Sequence, residues 1–134
     1  MIVLDASLAL AWVLGEPFAP EFRHLENRAL AEGGIVPWLW RLEVLNGLLL
    51  AERRNRIDRF GRQSAADDLW ALDIEDDLEN GEEALARAVA IAEKTGTSLY
   101  DATYLELAVR LQRPLGTLDE RMRNAAMTLG VRLA

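Results

Sequence analysis

The chain has 134 residues, 51% of them hydrophobic and 28% charged, with a formal net charge of −7. Those values describe one folded domain with a substantial core and exclude a disordered or fibrous chain. There is no cysteine, which excludes disulfides, zinc–thiolate sites and a thiol nucleophile.

Met1 to Leu4 is a short apolar run closed by Asp5, the pattern of a buried parallel strand. Ser7 to Leu14 reads as a helix stopped by Gly15 and Pro17. The apolar stretch around it, Ala6 to Gly15, is 10 residues long, half of the ~20 a membrane crossing needs. The N-terminus also lacks the basic segment of a signal peptide, so a cytoplasmic protein with no membrane association is expected. Phe18 to Glu32 has helical spacing, ended by Gly33-Gly34, and Ile35-Val36 is a minimal strand. Pro37 is expected to open a long helix running to about Asn55. A helix over about Asp58 to Ala71 follows, then a strand at Leu72-Asp73-Ile74. Asn80 to Lys94 is amphipathic and closed by Gly96, and Ser98 to Leu111 is a further helix. Pro114 to Thr117 is strand-like, Asp119 to Leu129 helical, and Val131 to Leu133 a last strand. Strands alternating with helices predict a single α/β domain over residues 1–134, a three-layer sandwich on a short, mainly parallel sheet.

Charge is unevenly spread. Asp73 to Glu83 holds seven acids and no base; removing them from the 22 acids leaves 15, matching the 15 bases. The acidic total therefore does not by itself exclude a nucleic-acid substrate. Arg53, Arg54, Arg56, Arg59 and Arg62 cluster at a helix–helix turn, where they suit either RNA phosphates or a solvated helix end. Trp12, Trp38, Trp40 and Trp70 read as core or interface residues rather than base-stacking platforms. His24 reads as a surface residue.

Four acids stand apart: Asp5, Glu43, Asp101 and Asp119, each in or beside an apolar or helix-starting stretch. Each has a plain local reading. Asp5 caps the following helix, Asp101 completes a capping box with Ser98, and Asp119 is a first-turn acid with Thr117 and Glu120 forming a box. Glu43 shares a helical stripe with Asn46, Arg53 and Arg54. Their joint placement suggests something further, because open α/β sheets bind ligands beyond the carboxyl ends of their strands. Asp5 and Asp119 each follow a strand directly. Four converging carboxylates without matching cations call for a divalent metal.

Met1-Ile2-Val3-Leu4-Asp5-Ala6-Ser7 resembles the opening of PIN-domain ribonucleases, most closely the VapC toxins of toxin–antitoxin pairs. The resemblance continues through Pro37, Leu42-Glu43-Val44-Leu45-Asn46-Gly47-Leu48 and Ser98-Leu99-Tyr100-Asp101-Ala102-Thr103-Tyr104. It ends with Pro114-Leu115-Gly116-Thr117-Leu118-Asp119-Glu120-Arg121-Met122 and Gly130-Val131, in the family's order and across essentially the whole chain. It implies a Mg²⁺- or Mn²⁺-dependent endoribonuclease with Asp5, Glu43, Asp101 and Asp119 as metal-binding and catalytic acids, supported by Ser7 and Thr117. By the same resemblance the products carry a 5′-phosphate and a 3′-hydroxyl, and the partners are RNA, a VapB-type antitoxin and a second copy of the chain. The alternative is a non-catalytic PIN-like module that binds protein or RNA. A phosphoaspartyl enzyme fits poorly, since Ser7 breaks the Asp-x-Asp pattern and Lys94, the only lysine, precedes the late strand.

Overall fold

Four short strands, none longer than four residues, carry the architecture. A computed structural model of the protein describes residues 1–17 and 20–134. In it β1 (Ile2–Leu4), β2 (Gly34–Pro37), β3 (Ile74–Asp77) and β4 (Leu115–Gly116) form one parallel sheet in the order β3-β2-β1-β4. The helices are α1 (Ala6–Val13), α2 (Arg23–Glu32), α3 (Trp40–Arg53), α4 (Arg59–Trp70), α5 (Glu82–Thr95), α6 (Leu99–Leu111) and α7 (Glu120–Thr128). One group, α1, α3 and α4, packs together, while α6 lies across β1, β2 and β4 with α5 and α7 beside it. This is the expected α/β/α sandwich. No helix among the described residues is long and apolar enough to cross a membrane.

The register follows from burial. Ile2, Val3 and Leu4 are all buried, as a strand covered on both faces requires. Val3 stands opposite Ile35 on one side and Leu115 on the other, and Leu4 opposite Gly116. The Asp5 amide then donates to the Gly116 carbonyl at 3.0 Å, which fixes Asp5 at the carboxyl edge. From β1 the chain winds outward through β2 to β3, then returns to place β4 on β1's other side. The reversal between β1 and β4 is a topological switch point, where open α/β sheets form their binding crevice.

Several boundaries differ from expectation. Pro37 ends β2 rather than opening a helix, and α3 begins at Trp40 after a turn. The amphipathic helix expected from Asn80 starts at Glu82, capped by Gly81. Phe18 and Ala19 of the expected helix lie outside the described residues; a 3₁₀ turn at Pro20–Phe22 leads into α2. The expected strand at Val131 to Leu133 is reduced to one bridge between Leu133 and Leu115.

The third strand falls at Ile74–Asp77, inside the acidic run, not at Leu72–Ile74. Two of its three acids, Asp76 and Asp77, are accommodated by alternation. Successive side chains point to opposite faces, so Asp76 meets Arg41 of α3 at 2.7 Å while Asp77 meets Arg110 of α6 at 2.6 Å. Glu79 adds ion pairs with Arg87 and Arg110. Much of the acidic run is thus part of the framework, and it takes up Arg41, Arg87 and Arg110 as counterions. Arg41 also lies over the rings of Trp40 and Trp70, 5.8 and 4.8 Å from their centroids. Trp40 is fully buried, whereas Trp38 and Trp70 are partly exposed. His24 does have a partner, the Ala134 carbonyl oxygen at 3.1 Å from Nε2.

Candidate active site

The carboxyl edge of β1 and β4 gathers the site. Asp5 is only 6% exposed, and both the Ser7 and Thr117 hydroxyls donate to its Oδ2 at 2.6 Å. Although Asp5 occupies the N-cap position of α1, its side chain completes no cap. The plain capping reading fails for this residue. Burial raises its pKa above the usual carboxylate range. The two hydroxyls and the nearby Ser7 amide pull it partway back, and the charge of Asp119 pushes it up again.

Thr117, fully buried, links two of the acids. Its hydroxyl donates to Asp5 and accepts from the Asp119 amide at 3.1 Å. Asp119 caps α7, its Oδ1 accepting from the Met122 amide at 3.0 Å. The cap is therefore Asp119 itself and not the Thr117–Glu120 box.

Glu43 and Asp101 come from the helical layers. Glu43, in the first turn of α3, is half-buried and not on a solvated stripe. Its Oε1 accepts from the Tyr104 hydroxyl at 3.0 Å. Burial raises its pKa first, then the charges of Asp5 and Asp101. Asp101 lies in the first turn of α6, its amide donating to the capping Ser98 hydroxyl at 3.1 Å. Its pKa also rises, through burial and then the charges of Asp5 and Asp119, against a lowering influence from Arg121.

All four acids therefore lie within electrostatic reach of one another around Asp5. Three of them hold their protons more tightly than isolated carboxyls do. Among the described residues, no three acids stand at the separation at which one ion would touch them all. Their present partners explain this: Asp5 is turned to two hydroxyls, Glu43 to Tyr104, and Asp119 to its own helix.

Tyr104 is the functional neighbour that sequence reasoning passed over. Burial and the Glu43 charge raise its pKa, so it stays protonated and donates to Glu43. The signal was its position three residues after Asp101, which puts both side chains on one face of α6.

The clustered arginines divide. Arg56 pairs with Glu16 at 2.6 Å and Arg62 with Glu52 at 2.7 Å. Arg53, Arg54 and Arg59 have no ion pair among the described residues. A groove of about 450 Å³ lies between the end of α6 and the Gly130 turn, at β4's other end. A smaller polar groove, about 330 Å³, opens beside Asp101.

A parallel α/β sandwich with four acids along a switch-point edge has its polar cluster where open α/β sheets bind ligands. Residues 2–127 match the PIN domain, and the chain belongs to that family. PIN domains are generally nucleases. No curated protein matches the chain.

Proposed function

We propose that this protein is a divalent-metal-dependent endoribonuclease and the toxin of a toxin–antitoxin pair. The observation that carries the catalytic reading is the coupling of Asp5, Glu43 and Asp101. Burial raises all three pKa values; the Asp5 charge adds to the rise at Glu43 and Asp101, Asp101 adds to that at Glu43, and Asp119 to those at Asp5 and Asp101. A scaffold needs no such repulsion, and a doubly charged cation would relieve it. The donor set fits that ion. It is all oxygen, with no cysteine and no histidine at the edge, the chemistry of Mg²⁺ or Mn²⁺ rather than of zinc. Bound there, the ion would activate water and offset the charge developing on a phosphodiester.

The chain's own residues prepare that chemistry. Ser7 and Thr117 orient the Asp5 carboxylate, and Thr117 holds the turn that presents Asp119. Tyr104 donates to Glu43 and fixes the orientation of its carboxylate. Burial keeps bulk water from screening the charge of Asp5. The antitoxin, of the VapB type, would cover the acids, with an Arg or Lys as the natural counter-charge. Two copies of the chain would form the working dimer.

The alternative, a non-catalytic PIN-like binding module, draws on one observation: the acids stand apart from single-ion spacing. Assaying RNA cleavage with Mg²⁺ or Mn²⁺ and again with EDTA separates the two. Metal-dependent cleavage is expected in the wild type. Asp5→Asn and Asp101→Asn proteins should fold normally yet lose at least a hundredfold in rate, by the order of magnitude of an active-site electrostatic contact. Undiminished cleavage by either variant, or cleavage insensitive to EDTA, overturns the nuclease assignment at these residues.

A further inference from the structure

One face of α7 makes a wall of the groove beside Asp101. Arg121, Asn124, Ala125 and Thr128 line it at the i, i+3, i+4 and i+7 spacing of a helical stripe. Thr95, Gly96, Thr97 and Ser98, the link from α5 to α6, form the opposite wall. From Arg121 to Thr128 the stripe runs about 10 Å at the helical rise of ~1.5 Å per residue. Both walls present hydroxyl and amide groups, and the groove's one basic side chain stands at the end nearest the acids.

That basic side chain is Arg121. It is exposed and has no ion pair among the described residues, although acids outnumber bases in the chain. Elsewhere the arginines that border the sheet, Arg41, Arg87 and Arg110, are all held by acids. Arg121 is close enough to influence Asp101, yet among the described residues it forms no ion pair that would occupy its donors. A guanidinium with free donors, flanked by polar groups and opening from a catalytic edge, is suited to a phosphate group. It also solves a problem the acids create, because a polyanion approaching four carboxylates needs a nearby cation to offset the repulsion.

We infer that Arg121 binds a backbone phosphate of single-stranded RNA next to the scissile one, and that the wall running on from it past Asn124 lets α7 set the path of the strand away from the acids. Contacts of this kind position a strand without reading its sequence. The inference rests on the ribonuclease reading and adds the route of the substrate.

The test uses a fluorescently labelled single-stranded RNA bound to the full-length Asp5→Asn protein in Mg²⁺, followed by anisotropy across a range of salt. Adding Arg121→Ala should weaken binding by roughly tenfold, in the lower range of a charge-assisted hydrogen bond. It should also flatten the dependence of log K on log salt by about 0.7, the loss of one phosphate contact on a single strand. Arg121→Lys should restore the slope. Arg113→Ala, in the groove at β4's other end, should leave both quantities unchanged. If Arg121→Ala binds as tightly and as steeply as its parent, or if Arg113→Ala has the same effect, the inference falls and the nuclease reading stands. If the Asp5→Asn protein binds no single-stranded RNA at all, the RNA reading itself falls and this route with it.

Discussion

Two hydroxyls, those of Ser7 and Thr117, do much to explain why Asp5 tolerates its surroundings. Losing a hydrogen bond to a charged group costs about 1.5–3 kcal/mol, yet Asp5 remains a strained acid even with two hydroxyls on it, because burial outweighs them. Its stability consequence has a definite sign. A carboxyl whose folded pKa is raised loses its proton first in the unfolded chain. Its contribution is therefore fully present below the ordinary carboxylate range, near pH ~4, and is lost as pH climbs through the raised folded value. Asp5, Glu43 and Asp101 all act in this direction. Asp5→Asn removes the most buried of them. In EDTA, the stability difference between Asp5→Asn and wild type should grow in the variant's favour as pH rises from about 4 towards 7. Urea melts across that range would measure it, and a difference that stays flat or shrinks would contradict the burial account.

The elements show a different kind of constraint, close approach. Gly47 lies on α3 where α1 crosses it, and a methyl group there would collide with the Leu10 side chain. Helix propensity favours Gly47→Ala by about 1 kcal/mol, but overpacking a core contact costs about 1–3 kcal/mol. Net destabilisation is expected, with partial recovery when Leu10→Ala is added. A double-mutant cycle by thermal denaturation would report that coupling, and additive effects would mean that the helices do not meet as described.

Legibility in the sequence also divides by element. Helices were readable wherever a cap residue marked the start, as with Asp58, Ser98 and Asp119. Strands were legible where the run was apolar, as at Ile2 to Leu4. β3 was misplaced because Ile74-Glu75-Asp76-Asp77 carries no apolar pattern; it becomes a strand through pairing with β2 and through arginines distant in sequence. The same division holds at the site. The four acids could be named from local context and family resemblance, whereas the Tyr104–Glu43 bond spans 61 positions and depended on the tertiary fold.

Across the whole molecule, a clamp of opposite charges joins the acidic run to both helical layers. Glu106, its side chain 7% exposed, accepts from Arg87 at 2.8 Å and Arg110 at 3.0 Å, and Arg110 reaches on to Asp77. Replacing Glu106 with Gln leaves those guanidinium groups without their central carboxylate. Because Arg87 is well exposed, the expected cost is at the lower end for charged hydrogen bonds, about 1–2 kcal/mol. It should appear as a lower urea midpoint with an unchanged slope. A midpoint within error of wild type would show the clamp to be energetically neutral, as many surface pairs are.

The bond between Thr117 and Asp5 closes a span of 112 positions, and that span sets an order of events during synthesis. Asp5 leaves the ribosome well before the strand that seats it and the turn that brings Asp119. Until β4 pairs with β1, the early carboxylates have neither their hydroxyl partner nor their fourth member. The four acids are therefore brought to one edge in a single step, when β4 takes its place beside β1. Under the nuclease reading proposed above, that ordering withholds cleavage until β4 is in place.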